Sequence, residues 1–412
     1  MKERNPWAWV PTLYFTEGLP YVLVMIVSVI MYKNLGVSNA EIAFYTSWLY
    51  LPWVIKPFWS PFVDLLKTKR WWIVMMQFLL AVGLAGVAFL VPTSFFFQST
   101  LAVFWLLAFA SATHDIAADG FYMLSLSEEK QSLFVGIRNI FYRVAMISGQ
   151  GLFVMCAGWL SKSYGFPMAW SIVFFAVAAL LLALSLYHRF VLPKPAEDSE
   201  KSIGKIGHLF ASFFTKKNIV VAMLFILLYR LGEAQLAKIA SPFLLDDVSQ
   251  GGLGLSTEQV GFIYGTIGVL FLLLGGILGG VVASVGGLKK WIWPMVLAMN
   301  VPNLVYVYFA LAQPADFWIV CSGVALEQLG YGFGFTAFTL YLIYFSQGEY
   351  KTAHYAICTG FMALGMMLPG MVSGWIQETI GYQHFFIWVC LCTIPGFLLI
   401  KFLNIPEDFG RK

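Results

Sequence analysis

The sequence predicts an all-α membrane protein, with twelve transmembrane helices in two pseudo-symmetric six-helix bundles. Three observations carry this expectation: a charge-poor apolar composition, a one-sided distribution of basic residues, and an internal repeat. The chain has 412 residues, 60% of them hydrophobic and 11% charged, whereas soluble domains carry roughly 25% charged residues. A water-soluble globule cannot bury that much apolar surface and still coat itself with polar groups, so the solvent is lipid. The lipid bilayer is therefore the first partner. The net charge of +4 is no argument for nucleic acid, because the positions of the charges matter more than their sum.

A bilayer-crossing helix needs roughly 20 apolar residues. Such segments lie near 10–33, 41–62, 71–91, 97–121, 133–160 and 168–190. A second set lies near 219–245, 257–284, 290–312, 316–346, 351–376 and 383–403. The expected organisation is an N-terminal bundle over 1–190, a linker over 191–217 and a C-terminal bundle over 218–412. The linker is a long polar stretch that includes Pro193, Pro195, Glu197, Asp198, Glu200 and Lys201. The apolar run from Trp7 past Tyr32 is too long for a signal-peptide core and reads as a retained first span. The five cysteines all fall inside apolar segments with neither disulfide nor metal-site spacing, so no metal and no cofactor is expected.

The basic residues test the count. With the N-terminus inside, 18 of the 25 Lys and Arg lie on the cytoplasmic side, including Lys67, Lys69, Arg70, Lys289 and Lys290. Only Lys33 and Lys162 lie opposite, and the other five sit within spans. This is the positive-inside pattern, and it places both termini and the linker in the cytoplasm.

The halves also echo each other. Ser38 with Glu41 and Ser256 with Gln259 both read as capping boxes following a glycine, Gly36 or Gly254. Lys69-Arg70-Trp71 parallels Lys289-Lys290-Trp291, and Gly158-Trp159 with Gly165 parallels Gly374-Trp375 with Gly381. The offsets are 218, 220 and 216 residues, in order along the chain. A parallel repeat of six spans is a transporter architecture, with the substrate site between the halves.

Ten charged residues fall inside spans: Glu17, Lys56, Asp115, Asp119, Arg138, Arg143, Arg230, Glu233, Lys238 and Glu327. Each would cost about 2.5–3.5 kcal/mol at the centre of a bilayer, so they are expected to pair or to line a polar cavity. Asp115 and Asp119, spaced i,i+4, share a helix face and should not both ionise easily, which makes them candidate proton acceptors. The structural alternative is salt bridging to Arg138 or Arg143. His114 is a candidate relay or substrate donor, or else a hydrogen-bonded packing residue. Arg230 and Glu233, at i,i+3, can bridge each other, and Gly232 with Ser241-Pro242 would let that helix bend. Glu17-Gly18-Leu19-Pro20 offers a similar irregularity in the first span, unless both are ordinary proline kinks. Glu327 has no charged neighbour on its own helix. The expected substrate ligands are Lys56, His114, Arg143, Arg230 and Lys238, because arginine forks and ammonium groups suit anionic cargo. The expected proton-coupling groups are Glu17, Asp115, Asp119, Glu233 and Glu327. Tyr14, Tyr21, Trp48, Tyr142 and Tyr331 are candidate sugar-stacking aromatics.

Several stretches resemble the AmpG-type muropeptide permeases and the related acetyl-coenzyme A transporters of the major facilitator superfamily. They are Glu17-Gly18-Leu19-Pro20, Leu51 to Pro61 with Asp64, Ser111 to Ala117 with Asp119, Tyr142-Arg143, Leu228 to Glu233, Glu327 and Gly374-Trp375. The likeness implies the major facilitator fold and proton-driven import of anhydromuropeptides, anionic N-acetylated saccharides, across a bacterial inner membrane. It also implies a cytoplasmic gate at Asp64 and Arg70. His114 replaces a usual glutamine and Glu17 a usual small polar residue, while Arg138 and Lys238 are additional cations. These departures also fit another acidic disaccharide bearing a uronate or sulfate. The rival from another class is a membrane acyl- or glycosyltransferase, which would need a large catalytic loop that the sequence does not offer.

Overall fold

The computed structural model describes residues 4–194, 206–348, 350–407 and 409–411. The linker residues 195–205 and the side chain of Asp64 lie outside the described residues. All regular structure among the described residues is helical. By length and apolar composition, eight continuous helices among them qualify as membrane crossings. Two of the eight, Glu129–Val191 and Ala353–Ile400, are double crossings, because each is interrupted by a glycine in a conformation closed to other residues. Gly165 has φ 73° and ψ 161°, and Gly381 has φ 76° and ψ 165°. The remaining two expected crossings are also helical. Residues 39–66 break at 49–50, and Phe317–Phe345 is less apolar because it holds Glu327, Gln328 and several glycines.

We number the twelve crossings α1 (10–34), α2 (39–66), α3 (Lys69–Leu90), α4 (Phe96–Ser125), α5 (128–164) and α6 (166–191). They continue with α7 (219–245), α8 (257–286), α9 (288–312), α10 (Phe317–Phe345), α11 (351–380) and α12 (382–400). A short helix, Ile206–Phe214, precedes α7. The chain forms two compact units: Met1–Val37 with Ile55–Gly204, and Ser38–Val54 with Lys205–Lys412. The first half of α2 thus belongs to the second unit.

In the first unit, α3 packs on α4 and α6, and α1 packs on α4 and α5. Gly18 lets α1 approach α5, since a Cβ there would lie 2.9 Å from the Tyr142 carbonyl oxygen. In the second unit, α10 lies against both α8 and α9 through glycine notches. A Cβ on Gly332 would meet the Leu272 oxygen at 2.1 Å, and one on Gly330 would meet the Ala298 oxygen at 1.9 Å. Such backbone approach is how helices associate where lipid removes the hydrophobic drive. The first turn of α2 docks on α11 at Gly374, where a Cβ would lie 2.1 Å from the Asn39 oxygen. Asn39 Nδ2 donates there to Gln377 Oε1 at 2.7 Å and to the Tyr382 hydroxyl at 2.8 Å. Phe89, Leu106, Leu133 and Val285 are at least 70% exposed, an apolar surface that suits acyl chains rather than water.

The repeat is visible in the backbone. Gly36 and Gly254 both have positive φ, 82° and 64°, just before their helix caps. Ser256 and Gln259 form the full reciprocal box. Ser38 accepts from the Glu41 amide, but Glu41 takes the Ser38 hydroxyl at 2.9 Å, so this second box is only half made. The irregular turns also fall elsewhere than expected. In α1 the helix runs through Pro20 and widens into a π-turn at Leu23–Val27, one turn later. In α7 the break comes at Tyr229 and Arg230 (φ −104°, ψ 18°), ahead of Gly232 and Pro242.

Candidate functional site

Helices α1, α2, α4 and α5 bring five of the ten charged residues into one cluster in the first unit. Lys56 pairs with Asp115, and Arg138 pairs with Asp119 at 2.9 Å. Glu17 is only 7% exposed, and its Oε2 has no hydrogen-bond partner among the described residues. Tyr14, a candidate sugar-stacking ring, is instead buried in this cluster. Its hydroxyl donates to Asp119 at 3.2 Å, and the Arg138 guanidinium lies 4.4 Å from its ring centre. The i,i+4 spacing of Asp115 and Asp119 places them on one face, and each meets its own cation.

Arg143 stands apart. It is half-buried, its one described polar neighbour is Met146 Sδ at 3.3 Å, and among the described residues it has no ion-pair partner. His114 also turns away from the ion pairs into a separate buried string. Gln77 Nε2 lies 2.9 Å from both His114 Nε2 and Thr16 Oγ1, and Gln77 Oε1 lies 2.8 Å from His188 Nδ1. Sequence reasoning passed over Gln77, although it is the lone amide in the apolar run of α3. Arg70, expected at a gate, donates to the backbone oxygens of Arg189 and Leu192 at the end of α6. There it satisfies carbonyls that a helix terminus leaves open. The other gating candidate, Asp64, has its side chain outside the described residues.

In the second unit, the break in α7 presents Arg230 to Glu233 as a two-pronged pair, with Nη2 to Oε1 at 2.7 Å. Arg230 also donates to the Tyr331 hydroxyl at 2.8 Å and faces the Phe335 ring at 5.0 Å. Its charge is therefore already met, unlike that of a waiting ligand. Lys238, 3% exposed, donates to Thr46 Oγ1 at 2.9 Å and lies 5.3 Å from the Tyr50 ring centre. Both partners are neutral. Glu327, 4% exposed, accepts from Gln328 Nε2 at 2.8 Å and has no cation partner among the described residues. The expected cationic ligands thus fall into two kinds: Lys56 and Arg230 are neutralised within their own unit, whereas Arg143 and Lys238 have no acid partner among the described residues.

A sequence profile of the Major Facilitator Superfamily matches residues 12–342. The chain is 26% identical over 411 residues to the anhydromuropeptide permease of Escherichia coli (strain K12), covering 97% of this chain and 80% of that protein. Its fold resembles that of the nucleoside transporter NupG, with a TM-score of 0.72 at 16% identity, covering 98% of this chain and all of that one. It also resembles a D-xylose-proton symporter, with a TM-score of 0.74 at 10% identity and 98% of each chain covered. With this fold and a polar cluster in each unit, the chain belongs to the Major Facilitator Superfamily, as a multi-pass membrane transporter and not an enzyme.

Proposed function

We propose that the chain is a proton-coupled importer of a small anionic saccharide, an anhydromuropeptide or muramic-acid sugar, in a bacterial inner membrane with both termini cytoplasmic. The observation that carries the coupling is the charge balance around Asp115. Three acids, Glu17, Asp115 and Asp119, are set against two cations, Lys56 and Arg138. Three carboxyl groups beside two cations leave one without a counter-charge, and that is the group suited to carry a proton. A site that holds one exchangeable proton between acids is what a symporter needs. Glu233 is bound to Arg230 and is the weaker coupling candidate, while Glu327 offers a second acid without a cation.

The cargo reading rests on Arg143 in the first unit and Lys238 in the second, each without an acid partner among the described residues, and on the likeness to a protein named for anhydromuropeptides. A carboxylate on the cargo supplies the missing charge. Uptake of labelled anhydromuropeptide into proteoliposomes, with and without an inward proton gradient, tests both parts. Accumulation only under the gradient is expected. Uptake indifferent to the gradient removes the coupling, and uptake of a uronate disaccharide in place of the muropeptide reassigns the cargo.

A further inference from the structure

The end of α6 gathers positive charge from three places in the first unit. Arg4 Nη1 donates to the Phe190 carbonyl oxygen, and Arg70 Nη2 donates to that of Arg189. Arg70 Nε also donates to the Leu192 oxygen at 3.2 Å. A further contact ties the N-terminal segment to this helix, since the Tyr187 hydroxyl donates to the Ala8 oxygen at 2.6 Å. Two guanidiniums far apart in sequence thus meet at residues 189–192, and that terminus carries a third guanidinium of its own, on Arg189.

Capping the helix does not exhaust these groups. A guanidinium has five N–H donors in a fixed fork. Arg70 uses two of them on carbonyls, Arg4 uses one, and the Arg189 side chain uses none among the described residues. None of the three has an ion-pair partner among the described residues. The open carbonyls of a helix terminus amount to only about half a negative charge, against three positive ones. The charges of Arg4 and Arg189 both bear on Arg70, so an added anion would relieve their mutual repulsion.

The matching corner of the second unit is built differently. Lys289-Lys290 stands near the start of α9 as Lys69-Arg70 stands at the start of α3. There Lys289 pairs with Glu407 at 3.0 Å, an acid from the tail beyond α12. That corner carries its own counter-charge, and the first has none among the described residues. The rim around the arginines indicates which anion fits. Phe190 is 70% exposed, and Trp7, Trp71 and Leu186 are exposed as well. A soluble phosphate would leave that apolar rim uncovered. A phospholipid covers it with acyl chains while its phosphate meets the arginine forks, and tryptophan suits the headgroup level.

We propose that Arg4, Arg70 and Arg189 form a binding site for the phosphate of an anionic phospholipid, whose acyl chains lie against Leu186 and Phe190. The site is separate from the proposed cargo ligands and does not depend on the cargo reading. Its bound lipid holds the N-terminal segment and the start of α3 to the end of α6.

Native mass spectrometry of the full chain in detergent micelles, titrated with phosphatidylglycerol or with phosphatidylcholine, tests this. The first phosphatidylglycerol should bind at least about tenfold more tightly than phosphatidylcholine. Arg189→Gln removes no hydrogen bond seen in the fold and should weaken that binding about fivefold. Adding Arg4→Gln should bring the loss to about twenty-fivefold, whereas Lys289→Gln at the matching corner should change it by less than about twofold. Equal binding of the two lipids, or equal losses from Arg189→Gln and Lys289→Gln, would reduce the effect to general surface charge and overturn the proposal. Inorganic phosphate in large excess should leave the lipid bound; displacement by it would make this a free-anion site and overturn the proposal equally.

Discussion

Asp119 lies 2.9 Å from the Arg138 guanidinium, while Asp115, one helical turn earlier on the same face, is held by Lys56. The two acids do not compete for one cation. The acid left over is Glu17, from a different helix, so the proposed coupling role falls to it.

Replacing Glu17 with Gln should therefore abolish proton-driven accumulation while leaving substrate exchange across the vesicle within about tenfold of native. Accumulation assays with counterflow as the control check this. Full accumulation by the variant would move coupling to Glu327 or Asp119.

The Lys56–Asp115 pair is about three-quarters buried. Lys56→Gln alone leaves an acid uncompensated and should destabilise by about 1–3 kcal/mol, less than a fully buried pair would lose. Adding Asp115→Asn should recover part of that loss, and a thermal-unfolding double-mutant cycle measures the coupling.

Glycine notches on the two sides of α10 give a sharp contrast. Gly330→Ala drives a Cβ to 1.9 Å from the Ala298 oxygen, whereas the nearest atom to a Cβ on Gly276 is 3.9 Å away. Gly330→Ala should cost about 1–3 kcal/mol by overpacking, and Gly276→Ala should be close to neutral. Thermal unfolding followed by size-exclusion chromatography separates the two.

At the corner between α5 and α6 and the one between α11 and α12, the torsions demand glycine. Gly165→Ala and Gly381→Ala should each lower stability by about 1–3 kcal/mol from backbone strain. Space is not the cause, since a Cβ on Gly381 meets nothing within 4 Å. Equal losses at the two positions are expected in the same unfolding assay.

Much of this was legible in the sequence because it depends on local features. Apolar length gave all twelve crossings, and the i,i+3 and i,i+4 spacings gave the Arg230–Glu233 pair and the common face of Asp115 and Asp119. Partners distant in sequence were not legible. Lys56 finds Asp115 across 59 residues and Gln77 finds His188 across 111, and no periodicity encodes such meetings. Tyr14 read as a free sugar platform because its sequence neighbours give no hint of Arg138. Arg70 read as a gate because a basic loop resembles one, whereas the open carbonyls at the end of α6 claim it. The position of the helix breaks was also hidden: Pro20 and Pro242 announce irregularity, but packing decides where the chain yields.

The corners at Gly165 and Gly381 share φ and ψ to within a few degrees, although they are 216 residues apart. Such unusual torsions, repeated at matching places, are inherited rather than reinvented. They imply that an ancestral six-span chain already turned back on itself at this point before its gene was doubled. The ionisable side chains do not repeat in the same way: the first unit groups Glu17, Asp115 and Asp119 with Lys56 and Arg138, whereas the second holds the Arg230–Glu233 pair, Lys238 and Glu327. What the two halves share is the backbone corner, and what sets them apart is the charge.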